Sequence, residues 1–279
     1  MSSLEQIRHS LAHLLAAAVG ELYPETKNTI GPAVDNGFYY DFEFPSGVVI
    51  SEKEFPKIEK TMKKILPTWK DFEKISVSAA EAKKHFADNP YKLELIAEIE
   101  KLGGEITLYK SGKFMDLCRG GHADVKDIGA DAWKLERVAG AYWRGEEKNK
   151  MLTRIYGLAF GTKDELDTYM IQMEEAKKRD HKKIGRELGL FVFSELVGSG
   201  LPLWTPRGTL VRDILDAYVW ELREAKGYMR VTVPHITKKD LYEKSGHWAK
   251  FKDELFKIET REGHTFAMKP MNCPHHTQI

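Results

Sequence analysis

The chain has 279 residues, 42% apolar and 30% charged, and its 43 Lys and Arg against 42 Asp and Glu leave a formal charge of +1. That is material for one or two globular cores, and the charge balance excludes a global attraction to nucleic acid or acidic lipid, so either partner must be held by local patches. The longest apolar run, Leu11 to Val19, is about half of the ~20 residues a bilayer span needs, with His13 inside it.

Glu5 stands where a secretory leader would be basic. Cys118 and Cys273 lie far apart among polar neighbours, which argues against a disulfide framework and for a reducing compartment, by default the cytoplasm.

Ser2 with Glu5 and Ser3 with Gln6 read as overlapping capping boxes for a helix through LEQIRHSLAHLLAAAVGEL, ended by Tyr23-Pro24. In AVDNGFYYDFEF, Phe38, Tyr40, Phe42 and Phe44 alternate with Tyr39, Asp41 and Glu43, the period of a strand. Charged helical segments follow at Pro56 to Leu66, Ala79 to Phe86 and Leu93 to Leu102. GEITLYKSGKFMDLC reads as two short strands about Ser111-Gly112, and MLTRIYGLAF as another. Thr162 with Glu165 caps a long charged helix, TKDELDTYMIQMEEAKKRDHKKIGREL, whose thin apolar stripe suits a connector. Its basic stretch, Ala176 to Lys183, reads as a solvated helix face. Beyond Gly189, LFVFSELVGSGLPLWTPRG is loop and strand, LVRDILDAYVWELREAKG is an amphipathic helix closed near Gly227, and YMRVTVPHI is a strand. The pattern predicts an α+β chain with a first domain over 1–161, a linker helix over 162–185 and a second domain over 186–279.

Two spacings carry chemistry. His9 and His13, four apart, project from one helix face; Cys118 and His122, again four apart, flank Gly120 and Gly121, which permit a tight loop. Either pair alone reads as structural; together, in a chain with so few cysteines, they favour a functional cleft. Three imidazoles and a thiol suit tetrahedral zinc. Imidazoles titrating near ~6.5 also suit activation of a water for ester hydrolysis. Spacing leaves both open.

HSLAHLLAAAV, GFYYDF, NPYK, MDLCRGGH and AYWRG, in this order, closely resemble the editing domain of bacterial threonyl-tRNA synthetases, and more distantly a module of alanyl enzymes. The resemblance implies a two-layer α/β editing domain. In it His9, His13, Cys118 and His122 line a hydrolytic pocket without an obligatory metal, where the alanyl relatives hold zinc. It adds Lys92 and Asp116 to the pocket and Tyr40 to its wall; without it, the first two read as solvated charges and the third as core. It further implies that the imidazoles place a water, Lys92 assists, Asp116 binds the substrate ammonium and Cys118 shapes the pocket.

KGYMRVTVPHI, Lys226 to Ile236, resembles motif 1 of class II aminoacyl-tRNA synthetases, with His235 in a slot that is often apolar; SGHW, FKDELF and KPMNCPHH follow in the order of the threonyl family. By this resemblance Cys273 is one of three zinc ligands of an aminoacylation site and Met271 lies beside the substrate. The other two ligands, and the motif 2 and 3 arginines that bind ATP, are not among these residues. The second domain is then the start of a class II antiparallel-sheet domain. His275 and His276 read as neighbours of Cys273, His275 standing where a small residue is usual.

The family implies threonine tRNA, serine or threonine, and ATP as partners, a homodimer through motif 1, and no membrane. Zinc chosen by the substrate hydroxyl rejects valine, but serine differs from threonine by one methyl, worth only about 1–3 kcal/mol, so mischarged Ser-tRNA(Thr) needs a second, hydrolytic site. Ligation by this chain alone is not expected. The competing reading is a non-catalytic RNA-binding module with a structural zinc on His9, His13, Cys118 and His122.

Overall fold

Ser3 opens the first helix, α1 (Leu4–Leu22), with the reciprocal box the sequence predicts: its hydroxyl accepts from Gln6 N–H at 3.2 Å, and Gln6 Oε1 accepts from Ser3 N–H at 2.8 Å. Ser2 does not pair with Glu5; its N–H and hydroxyl donate to Asp127 at 2.6 and 2.8 Å. Every residue from Ser10 to Val19 is buried, so α1 runs through the interior, as its all-round Ala and Leu surface requires.

The computed structural model describes residues 2–251 and 254–279, so Lys252 and Asp253 of FKDELF lie outside the described residues. After α1 come β1 (Lys27–Asn28), β2 (Ala33–Val34), β3 (Gly37–Glu43), α2 (Phe55–Ile65), β4 (Glu73–Val77), α3 (Ala79–His85) and α4 (Pro90–Lys101). Then follow β5 (Ile106–Ser111), β6 (Phe114–Leu117), β7 (Trp133–Tyr142), β8 (Met151–Ala159) and α5 (Lys163–Lys178). The strands make two antiparallel sheets, one ordered β1-β3-β8-β7 with β2 also on β3, the other β4-β5-β6.

Phe38, Tyr40 and Phe42 of β3 pack with α1, α2, Trp133 and Ile155 into the main core. Asp41 on the opposite face is also buried, and Arg154 of β8 satisfies it with two charge-assisted hydrogen bonds of 2.6 and 2.8 Å. A second core joins α3 and α4 to β5 through Ala82, Phe86, Ile96 and Leu108. Sequence reasoning missed the short β1 and the longer β4 and β7. The alternation of β7 is interrupted by an irregularity between Leu135 and Arg137, and β4 is an edge strand with exposed charges.

The expected long connector helix is two helices, α5 and α6 (His181–Glu187), broken at Arg179 and Asp180; Asp is a residue type that favours a new helix start over helix interior. The chain divides there into two compact units, Met1–Asp180 and His181–Ile279. In the second, β9 (Phe191–Val192) pairs with β10 (Leu203–Trp204), α7 (Pro206–Glu224) starts at a Thr205 cap, and β11 (Ile236–Lys238) pairs with β13 (Thr265–Met268), which pairs with β12 (Lys257–Glu259). The expected strand over YMRVTVPHI reduces to its last residue, Ile236. Tyr228 to His235 has no ladder partner among the described residues, and strand propensity alone does not make a strand. The whole chain is mixed helix and antiparallel sheet, the α+β class expected.

Candidate functional site

The two spaced pairs meet. His9 Nε2 lies 3.1 Å from His13 Nε2 and 3.3 Å from Cys118 Sγ, and His122 Nε2 lies 3.5 Å from the same sulfur. α1 supplies the first two imidazoles, and the loop after β6 supplies the thiol and the third. That loop is anchored at both ends: Cys118 N–H donates to Thr107 O at 3.2 Å, and Ala123 N–H donates to the buried Ser10 hydroxyl of α1 at 2.9 Å.

Gly120 and Gly121, at φ of 98° and 86°, turn His122 back over Cys118. His122 lies flat on Phe72, with centroids 4.2 Å apart and planes within 4°, and tilted against Tyr109 at 4.5 Å. A Cβ on Gly120 would stand 2.5 Å from the Tyr109 hydroxyl. Gly120→Ala is therefore expected to cost about 1–3 kcal/mol of stability, measured by urea denaturation. Gly103→Ala, also at positive φ but in open space, should cost less.

Beneath the imidazoles lies a buried polar knot. Asp116 of β6, 1% exposed, sits 2.5 Å from Lys92 Nζ through Oδ1 and 3.3 Å from His13 Nδ1 through Oδ2. It also accepts from the Tyr40 hydroxyl at 2.5 Å, Leu117 N–H at 2.9 Å and Asn28 Nδ2 at 3.4 Å. These donors occupy both carboxylate oxygens, so a substrate ammonium would have to displace one of them. Lys92 and Tyr40, each 1% exposed, are as deeply buried as Asp116.

Burial works against charge on Asp116, His13, Cys118 and His122, and pairing overturns it for the first three. It would raise Asp116, but Lys92 and His13 hold the carboxyl well below the usual carboxylate range. It would lower His13, but hydrogen bonds to Asp116 and Cys118 lift the imidazole to about 9. It would raise Cys118, but contacts from His122, His13 and His9 bring the thiol down to about 3. For His122 burial wins, and its pKa lies below the ordinary imidazole value despite Cys118. At neutral pH the knot holds His13 as a cation, Asp116 and Cys118 as anions, and His122 as a neutral base. A cavity of about 400 Å³ opens beside His122, with Lys70, Phe72, Tyr109 and Asp124 in its lining. A larger one, about 850 Å³, lies in the second unit between Phe191 and Trp204 and holds no such cluster among the described residues.

The same four side chains fit zinc. Their donor atoms all lie within 4.8 Å of one another, and a tetrahedron with Zn–N near 2.0–2.1 Å and Zn–S near 2.3 Å sets three nitrogens and one sulfur roughly 3.3–3.6 Å apart, within reach of small side-chain shifts. Asp116 on His13 Nδ1 leaves Nε2 for a metal, the usual carboxylate support of a histidine ligand. Zinc there would act as a Lewis acid or as a structural clamp.

In the second unit, Cys273 begins the short helix Cys273–His276 and is exposed, and Met271 is half-buried. Among the described residues Cys273 belongs to no group of three or more candidate metal ligands. His275 is buried there with neither ring nitrogen hydrogen-bonded, its ring 6.1 Å from that of Tyr242. Sequence reasoning missed Asn28, Asn89, Phe72 and Tyr109 around the first site. Only Asn89 carries a linear signal, as an Asn-Pro helix start.

Residues 106–156, which carry Asp116, Cys118 and His122, match the family described as the threonyl and alanyl tRNA synthetase second additional domain. Threonine–tRNA ligase of Gloeobacter violaceus is 48% identical over 99% of this chain and 45% of its own length. That of Porphyromonas gingivalis is 49% identical over 97% of this chain and 42% of its own. Over nearly its whole length the chain is similar to these threonyl-tRNA synthetases. It spans less than half the length of the curated threonyl-tRNA synthetases it matches. A crystal structure of the RNA binding domain of threonyl-tRNA synthetase from Cryptosporidium parvum Iowa II is 33% identical over 35% of this chain and 24% of that one, at a TM-score of 0.33, too low to speak for a shared fold.

Proposed function

We propose that the first unit is a threonyl-tRNA synthetase editing site that hydrolyses the ester joining serine to the terminal ribose of threonine tRNA. The observation that carries this reading is the meeting of three imidazoles around one half-buried sulfur, over a buried Lys92–Asp116 pair. His122, neutral and beside the open cavity, takes a proton from a water, with His9 next to it; the water oxygen bonds to the ester carbonyl carbon. The carbon–ribose oxygen bond then breaks, and His122 returns the proton to the leaving ribose hydroxyl. His13, charged through Asp116, stabilises the oxyanion between these steps. Asp116 and Lys92 act through His13, and the Cys118 thiolate, the half-exposed anion of the site, faces the serine ammonium. Tyr40 serves by donating to Asp116 rather than as a wall.

In longer members, Cys273 and Met271 belong to the zinc site that selects threonine for ATP-dependent ligation. Threonine tRNA, a homodimer through motif 1 and the cytoplasm complete this reading. The chain should deacylate Ser-tRNA(Thr) much faster than Thr-tRNA(Thr); a folded chain that leaves the serine ester intact overturns the assignment.

The zinc-compatible donor geometry supports a second reading, a non-catalytic RNA-binding module clamped by metal. Chelator treatment decides between them. The editing reading expects hydrolysis and melting temperature to survive metal removal, whereas one tightly held zinc per chain, unfolding by chelator and no hydrolysis would establish the module.

A further inference from the structure

The buried lysine and aspartate reach the site from a helix and a strand outside the larger sheet. Lys92 rides on the first turn of α4 and Asp116 on β6, both packed with the smaller sheet, whereas Tyr40 and Asn28 belong to the larger one. Two amides bridge the layers beside the Tyr40 hydroxyl, which itself bonds Asp116 and Lys92. Asn89, 7% exposed, caps α4 by accepting Lys92 N–H at 3.2 Å through Oδ1. Its Nδ2 donates to Asn28 O at 2.8 Å and Asn28 Oδ1 at 3.3 Å. The Asn28 Nδ2 in turn donates to the Tyr40 hydroxyl oxygen at 3.3 Å and to Asp116 Oδ1 at 3.4 Å.

A cap needs only an acceptor, which Ser or Asp supplies as well as Asn. Here the donor half of Asn89 is used too. Asn28 likewise needs both halves of its amide, since a carboxylate in its place would turn an oxygen toward Asp116.

We propose that Asn89 and Asn28 form a strut that positions Lys92 and Asp116 under His13 for the deacylation proposed above, touching no substrate themselves. The inference rests on that reading. Displacing a reactive constellation by about 1 Å costs on the order of 100-fold in rate, and loss of a supporting hydrogen-bond partner about 10- to 100-fold in metal sites.

Asn89→Ser separates the strut from the cap, because the hydroxyl still accepts the helix N–H but donates little to Asn28. In the full chain, Asn89→Ser and Asn28→Ala are expected to lower kcat for Ser-tRNA(Thr) deacylation about 10- to 100-fold, with KM within about twofold of wild type. Asn89→Ala should match the kcat of Asn89→Ser and melt at a lower temperature. If Asn89 were only a cap, Asn89→Ser would keep the wild-type kcat, and that result overturns the strut. So does a wild-type kcat in Asn28→Ala, which carries the test alone if the Asn89 variants do not fold. An inactive wild-type chain instead overturns the editing assignment.

Discussion

Asp116→Asn is expected to lower the stability of the first unit by about 3–5 kcal/mol and to cut Ser-tRNA(Thr) deacylation by at least about 100-fold. The amide has the shape of the carboxylate but carries no charge and turns an NH2 toward donors. Lys92, 1% exposed, would keep only neutral acceptors, the new amide oxygen and the Tyr40 hydroxyl at 3.3 Å, and would lose its counter-ion. A buried ammonium stripped of its counter-ion is among the costliest point changes. His13 would lose the anion on its Nδ1, and the burial that opposes its charge would then be countered only by Cys118. Urea denaturation at neutral pH gives the first quantity and single-turnover deacylation the second. Asp116→Asn with Lys92→Met should regain part of the stability without regaining the rate, because the unpaired charge is gone while His13 stays unsupported. A single variant within about 0.5 kcal/mol of wild type would mean that the knot is not what holds this site together.

How much of this was legible beforehand differs from residue to residue. His9 and His13 are visible because a four-residue spacing on a helix has one spatial meaning, and Gly120 with Gly121 announces a turn that brings Cys118 and His122 to one side. The apolar run from Leu11 to Val19 likewise marks the buried stretch of α1. Asp116, Lys92 and Tyr40 have no such pattern: each looks ordinary in the chain, and their closeness comes from three elements whose packing no local period encodes. They entered through family resemblance alone. The roles then shifted with burial, because an aspartate holding Lys92, His13, Tyr40, Asn28 and Leu117 N–H has no free lone pair for a substrate. Tyr228 to His235 failed as a strand for the converse reason. Its β-branched residues fit a pleated surface, but a strand exists only where a neighbour offers a ladder.

Deacylation should rise with pH through a midpoint below about 6.5, the ordinary imidazole value, and fall again near pH 9, where His13 loses its proton. The reason is that the reaction needs His122 neutral and His13 charged, and the site moves their titrations apart in those directions. Stability follows a related but distinct curve. The contribution of His13, whose pKa is raised on folding, is complete below about 6.5 and is lost as pH rises through 9. That of Cys118, lowered on folding, is complete above about 8.5 and is lost as pH falls toward 3. Between about 6.5 and 8.5 the folded pair is imidazolium and thiolate, while the unfolded pair is imidazole and thiol. The proton count is the same, so these two groups give stability no slope in that window. Cys118→Ser removes one half of the balance, and melting temperature should then decline as pH rises across it. Ultraviolet thiolate absorbance checks the premise directly: a thiol that ionises near 8.5 in the folded chain, or a rate that falls as pH rises from 6 to 7, contradicts the ion-pair account of the site.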